Sequence, residues 1–189
     1  AETMRFNEER RSAMKHSIVA KSIAFSLFAF LLLSVGGSAQ AASVKIEAVM
    51  SPKEQIQLDF ADGSKHFVLM VKREGKATGE GLLAGAAVTE YGRHDIIPGV
   101  GGDPSGYLVF TQPGGDIAYI KWLVRAVFVP GPDGKPMLLD NGAWEVVSGT
   151  GKLKGLKGAG TLHIKAVSPT DRKFILDGDL VPASDDAKK

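Results

Sequence analysis

The sequence predicts an all-β protein, a single closed antiparallel barrel of about eight strands preceded by a cleavable signal helix. Three observations carry the expectation. Once the N-terminal segment is set aside, 21 of 148 residues are glycine, about twice the usual share of roughly 7%. Apolar and polar residues alternate with a period of two along most of the chain. Turn-forming dipeptides punctuate the alternating runs at short intervals.

The N-terminal segment has to be separated first, because its pattern is that of an export signal and not of a folded element. Met14 reads as a start. Lys15, His16 and Lys21 then supply a basic region, residues 23–35 an apolar run of 13, and Ala39-Gln40-Ala41 a small-x-small cleavage pattern. A spanning helix needs about 20 apolar residues, so this run predicts cleavage and a mature chain beginning near Ala42, periplasmic or secreted, with no stable membrane insertion afterwards. Residues 1–13 read as an upstream extension, 42–181 as the barrel domain and 182–189 as a disordered tail.

Charge and composition narrow the chemistry. The full chain has 23 Lys and Arg against 21 Asp and Glu, and residues 42–189 have 18 of each. No basic stripe of the kind that binds phosphate backbones can be built from that balance, which argues against a nucleic-acid partner. The chain has no cysteine, so it has no disulfide, no thiolate metal site, no cysteine nucleophile and no lipid-anchored cysteine. His66, His94 and His163 stand far apart without the short spacing of metal ligands, and no Gly-x-Ser-x-Gly elbow occurs. The expectation is a protein without metal or cofactor.

The strands follow in order. Val44, Ile46, Ala48 and Met50 alternate with Lys45 and Glu47, and Ile56, Leu58 and Phe60 with Gln55, Gln57 and Asp59; each set predicts a half-buried strand. Further strands are expected over 65–73, 82–91, 107–112, 117–129, 144–148, 161–167 and 173–181. Turns are expected at Asp62-Gly63, Gly79 to Gly81, Pro113 to Asp116, Gly131 to Gly134, Asn141-Gly142 and Asp177-Gly178. So many short antiparallel strands must stack as a sandwich or close, and closure removes the exposed edges. In 117–129 the face of Ile120, Trp122, Val124, Ala126 and Phe128 is wholly apolar and predicts the interior, with Lys121 and Arg125 in water; the opposite rotation would place both cations in the lumen against an anionic ligand.

The glycine-rich stretch 149–160 is not a nucleotide loop. Lys154 stands where a dinucleotide fingerprint needs its third glycine, and a strand follows where a helix is required. Residues 144–162 instead resemble a stretch that recurs in allene oxide cyclase and dirigent-type barrels and in bacterial relatives without assigned function: a strand from Trp144, the Gly149-Thr150-Gly151 turn, Leu153, the Gly155-x-x-Gly158 step and a strand from Thr161. The resemblance implies an eight-stranded antiparallel barrel with an apolar lumen, often a trimer. It also implies metal-free guidance of cyclisation or radical coupling by confinement of a hydrophobic substrate. No catalytic residue is carried over by it.

The segment 92–106 is the longest expected connection, and long loops are usually lids or binding loops. At its start stand Glu90, Tyr91, Arg93, His94 and Asp95, a cluster of hydrogen-bonding groups at an expected strand end and so at the mouth of a barrel. Together with the aromatic wall of Tyr107, Phe110, Tyr119 and Trp122, the first four of these residues form the expected ligand site. The expected function is an exported barrel that holds a hydrophobic small molecule in its lumen; the alternative is a metal-independent isomerase or cyclase of the allene oxide cyclase type. Ionisable side chains converging inside the lumen would favour the enzyme, and a wholly apolar lumen the carrier.

Overall fold

The computed structural model describes residues 40–183; the upstream extension, most of the signal segment and the tail beyond residue 183 lie outside the described residues. Nine strands follow one another: β1 (Ala42–Asp59), β2 (Phe67–Glu80), β3 (Ala87–Ile97), the two-residue β4 (Gly101–Gly102), β5 (Ser105–Thr111), β6 (Ile117–Pro130), β7 (Pro136–Gly149), β8 (Lys157–Ala166) and β9 (Arg172–Val181). All the pairings are antiparallel. β1 pairs with β2 and β9, β2 with β3, β3 with β5, β5 with β6, and each later strand with the next. Eight strands therefore close into a barrel, as expected, and β4 is an extra rung between β3 and β6.

Four expectations about the elements are corrected. The first two expected strands are one, β1, with a bulge between Pro52 and Glu54. Its ladder with β9 ends at Met50, so the second half has only β2 beside it, and Ile56 and Leu58 are exposed where they were expected to be half-buried. The expected strand at 82–91 starts only at Ala87, because residues 82–85 form a turn that tucks Leu83 and Ala86 into the core. Segment 92–106 is not a long loop: β3 runs on to Ile97, a tight turn closes with Val100 N–H donating to Ile97 O at 2.9 Å, and β5 starts at Ser105. Asn141-Gly142 and Asp177-Gly178 are strand interiors. At Gly178 a Cβ would collide with Ala159 O and Gly160 Cα and stand 2.8 Å from Cζ2 of Trp144, so the glycine lets β8 and an indole approach closely.

The period of two decides which side chains enter the barrel. Ile120, Trp122, Val124 and Ala126 of β6 point inward and are buried, while Lys121 and Arg125 point outward, Arg125 pairing with Asp103 at 2.8 Å. The lumen cations are not these two. Inside, one continuous cluster of buried apolar residues fills the barrel from Val44, Ile46 and Ala48 on β1 to Phe174, Leu176 and Leu180 on β9. One end is shut. Leu83 from the β2–β3 turn and Leu153 and Leu156 from the β7–β8 connection are at most 3% exposed and plug it. Leu153 closes a single 3-10 turn, Gly151–Leu153, so the glycine-rich stretch serves the plug, with Lys152, Lys154 and Lys157 in solvent as expected.

Candidate functional site

The other end of the barrel is built differently. The register of β2 on β3 sets Arg73 opposite Glu90, both on the inward face, and they are 5% and 0% exposed. Arg73 Nη1 donates to Glu90 Oε2 at 2.7 Å. His94 lies four residues along β3 on the same face, with Gly92 between. Because Gly92 has no side chain, the Glu90 and His94 side chains lean toward each other across it, and a Cβ there would collide with Glu90 Oε1 and His94 Nε2. His94 Nε2 is 3.1 Å from Glu90 Oε1 and 3.1 Å from Arg73 Nη1. A protonated Nε2 donates to Glu90 and an unprotonated one accepts from Arg73, so the proton on this nitrogen decides which bond exists.

Two more strands complete the cluster. Asp140, facing Ala126 on β6 and Ile164 on β8, is 8% exposed, and its Oδ1 has no hydrogen-bond partner among the described residues. Burial pushes its carboxyl up to about 6, against the opposing pull of His94 and then Arg172. Arg172 opens β9. Its Nη1 donates to the carbonyl oxygens of Asp171 at 2.9 Å, Ser168 at 3.2 Å and Pro169 at 3.4 Å. Burial, and then the neighbouring Arg73, lower its affinity for its proton, but a guanidinium stays charged in a protein. Arg73 Nε is a further buried group without a partner among the described residues.

These polar groups face a cavity of about 170 Å³ at the open end, with Arg73, His94, Asp140 and Arg172 on its polar side and Phe67, Leu69, Ile96, Phe128 and Leu138 on its apolar side. Below it the barrel is packed. The Trp122 ring lies 5.8 Å from the His94 ring and 5.9 Å from that of Phe174, edge to face with the latter. The arrangement holds a fixed positive charge, an acid that titrates near neutrality and an imidazole beside an apolar wall. It can grip the polar end of a small molecule or move a proton to or from it.

The structure divides the eight residues expected to bind ligand. Glu90, His94, Trp122 and Phe110 point into the barrel, the last deep in the packed region and fully buried. Tyr91, Arg93 and Tyr107 point outward and line a shallow groove of about 830 Å³ on the outer wall, together with Ile56, Met70 and Lys121; the inward-pointing Trp122 also reaches the lining of this groove, beside Gly92 and Gly106. Tyr119 faces outward from β6, half-buried, and lies in neither cavity. Glu90 to His94 were expected as one cluster because the segment was read as a loop; as a strand it sends alternate side chains to opposite sides of the wall. The inner cavity has the stronger claim to chemistry despite being smaller. Its ionisable groups are out of water, where their interactions are strong, whereas the outer groove's Lys72 and Arg93 already pair with Glu54 and Asp95 in solvent.

Arg73, Asp140 and Arg172 were missed. Arg73 had a signal, since it continues the inward parity of Leu69 and Val71 in an expected strand. Asp140 lay in a stretch read as a turn, and Arg172 one residue before an expected strand.

No protein-family profile matches the chain, and no curated protein matches it. Among solved structures it is similar to the crystal structure of a conserved protein of unknown function, RPA1785, from Rhodopseudomonas palustris, with 12% identity over 76% of this chain and 99% of that chain at a TM-score of 0.47.

Proposed function

We propose that the protein is an exported barrel that binds a small, largely apolar molecule at its open end, with the body of the ligand among Phe67, Leu69, Phe128 and Leu138 and its polar end against Arg73, His94, Asp140 and Arg172. The observation that carries this reading is the cavity itself: Arg73 and Asp140, each with a buried polar atom that has no partner among the described residues, line a space whose other side is apolar. Buried polar groups are nearly always satisfied, and each orphan costs about 1–3 kcal/mol. A ligand with a polar head supplies the missing partners. Of the residues named from the sequence, His94 lies on the polar side, Glu90 stands behind it and Trp122 packs beside it. Tryptophan fluorescence titrated with fatty acids, terpenoids and phenolics tests the reading, because a ligand against His94 lies next to Trp122. A shift in emission that disappears in His94→Ala is expected; no response to any of the panel would overturn it.

Export is part of the same proposal and is supported by the order of basic, apolar and small residues in 14–41. The first strand begins at Ala42, the residue after the expected cleavage point, so removal of the signal would leave the barrel intact. Intact mass of protein recovered from the periplasm is expected to place the N-terminus within a few residues of Ala42, and full-length protein in the membrane fraction would contradict it.

One observation favours a second reading, a metal-independent isomerase or cyclase of the allene oxide cyclase type. Ionisable side chains do converge inside the lumen, where His94 and Asp140 line a cavity with apolar walls and Glu90 lies behind His94 at 3.1 Å. Conversion of an apolar substrate into an isomer of equal mass, with a stereochemical excess lost in Glu90→Gln, is its signature. The homo-oligomer implied by the resemblance would use the outer wall around Tyr91 and Tyr107, and sedimentation velocity measures it.

A further inference from the structure

We propose that the ligand of the open-end cavity is a small monocarboxylate with an apolar body, and that it is captured together with one proton, which Asp140 holds. This rests on the reading of the cavity as a ligand site, and adds the charge of the ligand and its coupling to pH.

The charge balance of the cavity is the starting point. Glu90 neutralises Arg73 at 2.7 Å. Arg172 has only carbonyl oxygens as acceptors, which carry no net charge, and among the described residues neither Arg172 nor Asp140 has an ion-pair partner within 4.0 Å. Two side chains of the cavity lining, each nine-tenths buried, carry atoms without a partner among the described residues, a donor at Arg73 Nε and an acceptor at Asp140 Oδ1. An entering carboxylate finds a guanidinium that lacks a counter-charge and a second N–H that lacks an acceptor, and charge-assisted bonds of this kind are the strong ones.

Asp140 opposes that carboxylate only while it is ionised. Two carboxylates cannot both stay ionised in one desolvated site without large cost, so one of them takes up a proton. The wall already favours Asp140, whose carboxyl is pushed up to about 6 before any ligand arrives. Once protonated it becomes a donor, and its O–H points the interaction the right way for an anion. The charged groups packed around it are His94 and Glu90 from β3, Arg73 from β2 and Arg172 from β9, while β8 contributes only Ile164. His94 and Glu90 are the other proton-accepting groups there, and the test separates them from Asp140. The size of the cavity, about 170 Å³, fits a ring or a short chain, since an apolar cavity of about 150 Å³ holds benzene.

The test is calorimetric titration of the protein with benzoate, hexanoate and the neutral benzyl alcohol at pH 5.5 and 7.5, each in two buffers of different ionisation enthalpy. Benzoate or hexanoate is expected to bind about tenfold or more weakly at pH 7.5, with up to one proton taken up per ligand, and benzyl alcohol to show neither effect. Arg172→Gln is expected to weaken carboxylate binding by about tenfold or more. Asp140→Asn is expected to abolish proton uptake and to raise affinity at pH 7.5 toward the value at pH 5.5. Should Asp140→Asn fail to fold, uptake in His94→Gln decides the question: persistence is expected, and loss overturns the assignment to Asp140. Carboxylate binding without proton uptake overturns the proposal, and so does uptake that survives in Asp140→Asn, which would assign the proton to His94 or Glu90. Benzyl alcohol binding while neither carboxylate binds also overturns it, and leaves the lumen site standing. If none of the three binds and the fluorescence panel is silent as well, the lumen reading itself has failed.

Discussion

The two ends of the barrel are made by the same eight strands and obey different rules. At the closed end, inward positions carry Val44, Ile46, Leu176 and Leu180, and three leucines from two connections seal what the strands leave open. At the open end, the same inward parity on β2, β3, β7 and β9 brings in Arg73, Glu90, His94, Asp140 and Arg172, and of the connections there only the turn after β3 contributes to the cavity lining, through Pro98. Both ends exclude water from side chains, but only the first is repaid by apolar burial. The second carries desolvated charges and orphaned polar atoms, and those are tolerated where a site needs them. The contrast teaches that burial alone does not mark core in this fold; the chemistry of what is buried does.

The largest expected effect breaks the contrast by removing half of the buried pair. Glu90→Ala leaves the Arg73 guanidinium buried without its carboxylate and should lower stability by about 3–5 kcal/mol, whereas Arg73→Leu with Glu90→Leu together should recover most of that loss. Urea denaturation of the single and double variants measures it. Equal losses would mean that the pair is not a desolvated unit. At the closed end, Leu153→Ala should cost about 2–5 kcal/mol by opening a cavity in the plug, and no second substitution on the strands should rescue it.

How much of this was legible follows from the same parity. The barrel, the inward face of β6 and the structural role of residues 149–160 could all be read, because alternation and glycine chemistry are local signals. The site was read in fragments. Glu90 and His94 were found, but Tyr91 and Arg93 were grouped with them, since a stretch rich in Gly, Asp and Pro reads as a loop and hides the alternation that sends those two to the outside. Asp140 could not be found for a related reason: Asn141-Gly142 has the composition of a hairpin turn, and only the approach of β7 to the backbone of β6 shows why a strand carries glycine there. Arg172 becomes a lumen residue only through the register of β9 on β1 and β8, which is a long-range fact.

Smaller effects sharpen the comparison. The Asp140 carboxyl sits near 6 in the folded protein against an ordinary value of 3.8, so the folded state binds this proton more tightly than the unfolded chain does. That group's contribution is fully present below about pH 4, is lost as pH rises toward 6 and is level above it, a fall of up to about 3 kcal/mol. Asp140→Asn should flatten this part of the stability profile, which thermal unfolding across pH 4–7 would show. The smallest effect separates the two sides of the wall: Arg93→Ala, on the outer face, should change stability by less than about 0.5 kcal/mol and leave lumen ligands bound as before, while His94→Ala weakens them.

Leu138 lines the open-end cavity and Met70 the outer groove, and this pair provides the decisive measurement. The two tryptophans do not separate the regions, since Trp122 and Trp144 stand opposite each other on β6 and β7 and Trp122 also lines the outer groove. A proton–carbon NMR spectrum of methyl-labelled protein, assigned with Leu138→Val and Met70→Leu, can be followed as benzoate, hexanoate or the best ligand of the fluorescence panel is added. If the open end is the functional site, the Leu138 signals shift along a saturable curve and the Met70 signal stays in place. Movement of Met70 with Leu138 unmoved, or no movement of either at ligand concentrations that saturate the calorimetric titration, would contradict it.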